Sequence, residues 1–257
     1  MRKTIVICTI LCAFLSCAST NKINSTKPDS KADAYHLISF PEGNSLIFFG
    51  VASRQIKPEL EIEAAREDAA KRVSMYHGLK ASVVSVQSIG TNALDYYSDS
   101  DFQMEYNTQL DVYKSGLTFD PERDVIRGDT VVFVRFSYPG VFPVSINYTS
   151  ARESDGSPGW VRRPPLEING FMVQTGFARR QQRLRDTIAK ACEDAIVQLI
   201  NRFSSTINST DTSANERSAS FVTHQSSGKL SNFMVMETWI DPENLSAWIF
   251  TVAKTAN

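Results

Sequence analysis

The sequence predicts an α+β protein made of two tandem repeats, each one helix packed on an antiparallel sheet. Three observations predict it. Near-identical hexapeptides, GVASRQ at residues 50–55 and GFARRQ at 176–181, stand 126 positions apart. Each follows an apolar, strand-like run and precedes a helical pattern striped with alanine. A second echo, Phe119-Asp120-Pro121-Glu122 against Ile240-Asp241-Pro242-Glu243, comes before the last strand-like run of each half.

Laid over each other without a gap, residues 50–73 and 176–199 agree at nine of 24 positions. Average residue usage gives about one or two by chance. A repeat far longer than a solenoid period is a domain-sized unit. The order expected is a signal peptide over 1–16, a tether over 17–34, a first helix-on-sheet repeat over 35–140, a linker over 141–165 rich in Pro, Gly and Ser, and a second repeat over 166–257.

At the N-terminus, Arg2 and Lys3 precede an uncharged, mostly apolar run over 4–15. The run is shorter than the roughly 20 residues a bilayer span needs and has the layout of a secretory signal. It closes on Phe14-Leu15-Ser16-Cys17, which resembles the lipobox of bacterial lipoproteins, with Phe14 where Leu is usual and Leu15 one place later. The resemblance implies cleavage before Cys17 and acylation of that residue. The other reading is an ordinary cleaved signal with an unrelated cysteine. Residues 18–31 (ASTNKINSTKPDSK) hold too little apolar surface to fold and read as a tether. Processing removes Cys8 and Cys12 and lipidates Cys17, so Cys192 remains alone, with no disulfide partner, and is expected to be covered. The mature chain carries 25 basic against 28 acidic side chains, which gives no nucleic-acid footprint.

Within each repeat the periodicities take over. Residues 45–50 (SLIFFG) and 170–176 (GFMVQTG) read as strands. Ile62, Ala65, Ala69, Val73 and Tyr76 recur at helical spacing, as do Ile188, Ala191, Ala195, Leu199 and Phe203. Alanines mid-stripe imply a helix axis close to its sheet. Pro58 suits the first helical turn and Gly78 the stop. Strand-like alternation follows at 81–86 and 104–112 in the first half and at 219–224 and 230–240 in the second, and final strands at 130–137 and 247–253. The hexapeptide then reads as a structural corner. Gly50 and Gly176 allow a close approach, Ala52 and Ala178 point inward, and one glycine is not a phosphate-cradling loop.

The strand ending in Gly-x-Ala, the short turn and the helix with Glu-Asp-Ala near its middle resemble the LPP-twenty lipoprotein family. They are also similar to the N-terminal domain of the flagellar assembly protein T family. Pro158-Gly159-Trp160-Val161-Arg162-Arg163-Pro164-Pro165 looks like the tryptophan segment that opens that group's domain, and the first repeat has Ile38-Ser39-Phe40-Pro41 instead. The resemblance is best over 160–203. It implies an outer-membrane-associated lipoprotein and carries no catalytic residues.

The search for chemistry yields little. His36, His77 and His224 stand at no metal-ligand spacing from one another or from Cys, and no HExxH, CxxC or GxSxG occurs. The acidic stretch over 95–101 lacks the glycine and terminal Glu of an EF-hand and reads as a solvated loop. Arg127-Gly128-Asp129 spells an adhesive tripeptide at what reads as a tight turn. The cluster Arg162, Arg163, Arg179, Arg180, Arg183 and Arg185 is the most informative, since arginines that open a helix meet free N–H groups able to hold an anion. Arg180 and Arg183 are the candidates for contact with an anionic envelope component; a solvated basic face is the bland alternative. Glu59, Glu61 and Glu63 put the opposite charge at the equivalent place of the first helix, as if the two units faced each other or paired between molecules.

The expectation is a lipid-anchored protein of the bacterial cell envelope, in the outer membrane, acting as a binding or structural module and not as an enzyme. No cofactor, metal or nucleic acid is expected. The partners are the membrane, through palmitate-type lipid on Cys17, and another envelope protein or the cell wall. The alternatives are an envelope enzyme with its site between the repeats, or a surface adhesin or antigen.

Overall fold

A computed structural model describes residues 36–90, 96–146, 148, 151–204 and 219–256. Cys8, Cys12, Cys17 and the tether lie outside the described residues. The elements run β1 (His36–Ile38), β2 (Ser45–Ser53), α1 (Pro58–His77), β3 (Leu79–Gly90), β4 (Tyr96–Tyr106), α2 (Leu110–Gly116), β5 (Val125–Arg127), β6 (Val131–Pro139), β7 (Glu167–Ile168), β8 (Phe171–Ala178), α3 (Leu184–Ser204), β9 (Ala219–Ile240) and β10 (Ala247–Thr255). The class is α+β, with helices on antiparallel sheets.

The two helices form where the alanine stripes predict. Pro58 opens α1 behind an extended Lys57, Glu59 and Glu61 sit in its first turn, and the Gly78 N–H closes it on the Ser74 carbonyl. Ala65, Ala69, Ala191 and Ala195 are fully buried. The strand glycines explain why: a Cβ on Gly50 would collide with the Ala65 carbonyl oxygen, and one on Gly176 with that of Ala191. Each helix lies so close to its strand that only glycine fits beneath it.

Further contacts recur at the same 126-residue spacing. The Val51 N–H donates to Asp68 Oδ2 at 3.0 Å and the Phe177 N–H to Asp194 Oδ2 at 2.9 Å. Arg72 Nε donates to Asp68 Oδ2 at 3.1 Å, and Gln198 Nε2 to Asp194 Oδ2 at 2.7 Å. The Gln55 N–H is taken by Glu61 Oε1 and the Gln181 N–H by Thr187 Oγ1, both at 2.9 Å. The Asp-Pro-Glu echo also folds alike: the Glu122 N–H donates to Asp120 Oδ1 at 2.9 Å and the Glu243 N–H to Asp241 Oδ1 at 2.8 Å.

The strands are partitioned differently from the expectation of one self-contained sheet per unit. A small sheet has the order β2-β6-β5, and a large one β4-β3-β9-β10-β8-β7 with β1 added on β9. The first segment's β3 and β4 therefore belong to the second segment's sheet, where Leu79 lies opposite Leu230 and Gly90 opposite Ala219. Gly78 alone joins α1 to β3, and β3 pairs antiparallel with β9 from its first residue. The alternation at 219–224 and 230–240 is one continuous strand, β9. The alternation read over 104–112 stops at Tyr106, because Asn107 Oδ1 accepts the Gln109 N–H and turns the chain into α2.

The core mixes both segments. Ile188, Ala191 and Leu199 of α3 share a cluster with Phe49, Val51 and Phe133 of the small sheet and with Ile249 and Ala253 of β10. Ala65, Ala69 and Val73 of α1 share another with Phe48, Val132, Met234, Met236 and Phe250. The segment over 141–165 is not a solvent-crossing linker. Phe142 and Trp160 are buried in it, and Trp160 Nε1 donates to Glu237 Oε2 at 2.7 Å. Among the described residues, no helix is long and apolar enough to cross a membrane.

Candidate functional site

The two hexapeptide turns converge. Ser53, Arg54 and Gln55 of the first turn and Arg180–Arg185 of the second line one cleft of about 570 Å³, completed by Thr130 and Leu245. That volume is within the range of small-ligand sites. The sheets position both walls. The Arg54 N–H donates to the Thr130 carbonyl at 3.1 Å, so the first turn is fixed to the start of β6. The second turn is fixed by the bond from Gln181 N–H to Thr187 and by the Asp186 and Thr187 N–H groups closing on the Arg183 carbonyl.

Glu61 organises the first wall. It is fully buried. Its Oε1 takes Arg54 Nε at 2.8 Å and the Gln55 N–H, and Arg127 Nε lies 3.5 Å from its Oε2. Burial alone would push this carboxyl up. The Gln55 N–H, the Arg54 hydrogen bond and the charges of Arg54 and Arg127 outweigh burial and hold its pKa below the ordinary carboxylate value. Oε2 has no hydrogen-bond partner of good geometry. Glu61 is therefore not a surface charge facing the second unit, as the sequence had implied. Glu63 stays at the surface and pairs with Lys114, whose Nζ lies 3.2 Å from its Oε1, not with the second segment's arginines.

The second wall has no such partner. Among the described residues, no carboxylate lies within ion-pair distance of Arg180, Arg183 or Arg185. A guanidinium fork matches carboxylate and phosphate geometry. One pre-oriented arginine facing three exposed ones is suited to holding an anion.

The remaining arginines of the sequence cluster separate. Arg162 binds Asp155 at 2.7 Å away from the cleft. Hydrogen bonds from Ser157 and that arginine hold the Asp155 carboxyl down at about 2. Arg163 and Arg179 do not line the cleft. Sequence reasoning placed Arg54 in a purely structural corner and missed its place in the cleft; its identity with Arg180 in the repeat was the available signal.

The other candidates find their places too. His36 Nε2 lies 2.8 Å from Glu237 Oε2, and Arg152 Nη2 lies 3.1 Å from its Nδ1. His77 ends α1, stacks on Tyr113 at 5.5 Å, and has its pKa lowered by burial. Cys192 is buried, which pushes its thiol up to about 11. Residues 96–101 of the acidic stretch are in strand β4, not a loop, and Asp95 is outside the described residues. The Gly128 N–H closes a turn on the Val131 carbonyl, and Arg127 faces Glu61, so the Arg-Gly-Asp arginine is engaged inward. Among the described residues, no group of three or more His, Cys, Asp or Glu side chains is arranged to hold a metal.

Compared with known proteins, the chain matches no family model, no curated protein and no solved structure. The cleft is therefore read from its own chemistry.

Proposed function

We propose that the chain is a lipid-anchored protein of the bacterial cell envelope, of the LPP-twenty-like kind, built from a duplicated strand–turn–helix unit. It works as a binding module rather than a catalyst, and its cleft takes an anionic group of the envelope. The convergence of Arg54 with Arg180, Arg183 and Arg185 carries the reading. Anchoring on Cys17 rests on the residues over 14–17, and duplication on the contacts repeated at 126-residue spacing.

Two experiments test it. Cells grown with labelled palmitate should label the protein, and Cys17→Ser should abolish the label; a label that persists contradicts the anchor. The chain from residue 18 onward, free of lipid, should be retained on isolated cell envelopes, and R180A/R183A should be released. Unchanged retention of that variant contradicts the cleft.

A further inference from the structure

The place where the chain enters the fold gives the cleft a direction. β9 runs toward the end of the large sheet at which Ile240, Ala247 and Ala178 lie side by side. His36 faces Trp239, one position short of that end, and β1 runs antiparallel to β9. The chain therefore enters β1 from the end where Ala178 gives way to Arg180–Arg185. That end carries the cleft. Beside it, across Arg54 and Gln55, lies a second hollow of about 610 Å³ lined by Ile56, Arg127, Gly128 and Asp129.

The hollows are more basic than the chain as a whole, while Asp186 in the first turn of α3 and Asp241 and Glu243 in the turn between β9 and β10 put acidic groups at the same end. The two hollows carry Arg54, Arg127, Arg180, Arg183 and Arg185 against Asp129 and the buried Glu61, a net +3, in a chain of net −1. Ile56 stands among them fully exposed. Exposed basic groups around an apolar side chain are what a headgroup interface attracts.

Resting on the proposed anchor, we infer that this end docks on the membrane that holds the lipid, with the arginines on the phosphates of anionic headgroups and Ile56 at the acyl boundary. Eighteen residues separate Cys17 from His36. A stretch of that length reaches at most roughly 60 Å, whatever its conformation. The attached end is therefore held near the bilayer, and the arginines meet headgroups at high effective concentration.

Vesicle sedimentation tests it, using the lipid-free chain from residue 18 onward, which keeps every described residue. The protein should bind vesicles of phosphatidylcholine mixed with phosphatidylglycerol and not vesicles of phosphatidylcholine alone. Binding should be lost at high salt. R180A/R183A should bind about thirty-fold more weakly, from two charges at about 1 kcal/mol each, while R180K/R183K should keep most of the binding and Ile56→Ser should weaken it. No binding to the mixed vesicles, equal binding to both kinds, or unaltered binding by R180A/R183A overturns the inference. If retention on envelopes still depends on Arg180 and Arg183 in that case, the cleft stands and its ligand is not lipid. If that dependence is also missing, both readings fall.

Discussion

Glu61 shows how one side chain shapes the surface above it. Its pKa is held below the ordinary value of 4.5, so the folded state binds the proton less tightly than the unfolded chain does. The stabilisation is present above about pH 4.5 and is lost as pH falls through the lower folded value. Glu61→Gln should therefore flatten the acid limb of stability against pH, measured by urea unfolding across that window. An unchanged limb would show that Arg54 and Arg127 gain nothing from the charge. Cys192 makes the opposite case. With its thiol raised to about 11 by burial, it should resist a thiol reagent at neutral pH in the native protein and react promptly in denaturant. Rapid native reaction would mean that α3 opens readily.

At the scale of elements, each helix is set by what lies under it. Gly50→Ala and Gly176→Ala should each destabilise by about 1–3 kcal/mol, because the new methyl must displace a helix carbonyl. Denaturant midpoints should fall for both; a shift in one alone would show that only one of the two close helix approaches is tight. The helices were legible in the sequence because a three- and four-residue stripe names the buried face directly. Partnership between strands was not. Alternation reveals faces, and nothing in residues 79–90 indicates that they pair with 219–230. The segment over 141–165 was misread for a related reason. Its Pro, Gly and Ser content describes a chain without regular structure, which still buries Phe142 and Trp160. Trp160→Phe should cost about 1–2 kcal/mol in thermal or urea unfolding, since it removes a donor from the buried Glu237 carboxylate. A neutral outcome would show that His36 alone satisfies that group.

Across the whole molecule, the two turns stand far apart in sequence and meet at one end of the fold. The sequence made Arg180 and Arg183 visible because they crowd a helix start. It hid Arg54, whose role depends on a cleft wall supplied 126 positions later. The core follows the same logic: α1 and α3 are each covered by residues from both segments, so the two segments share one core in place of two beads on a string. The claim that both turns build one binding end is tested most directly from the first turn. R54A/E61Q removes a guanidinium and its buried counter-charge together, leaving no unpaired carboxylate, and its retention on isolated envelopes can be measured beside that of R180A/R183A. Release of both variants is the predicted result, milder for R54A/E61Q, which loses the Arg54 contact but leaves the net charge of the hollows unchanged. Wild-type retention of R54A/E61Q, with R180A/R183A released, would contradict a shared cleft.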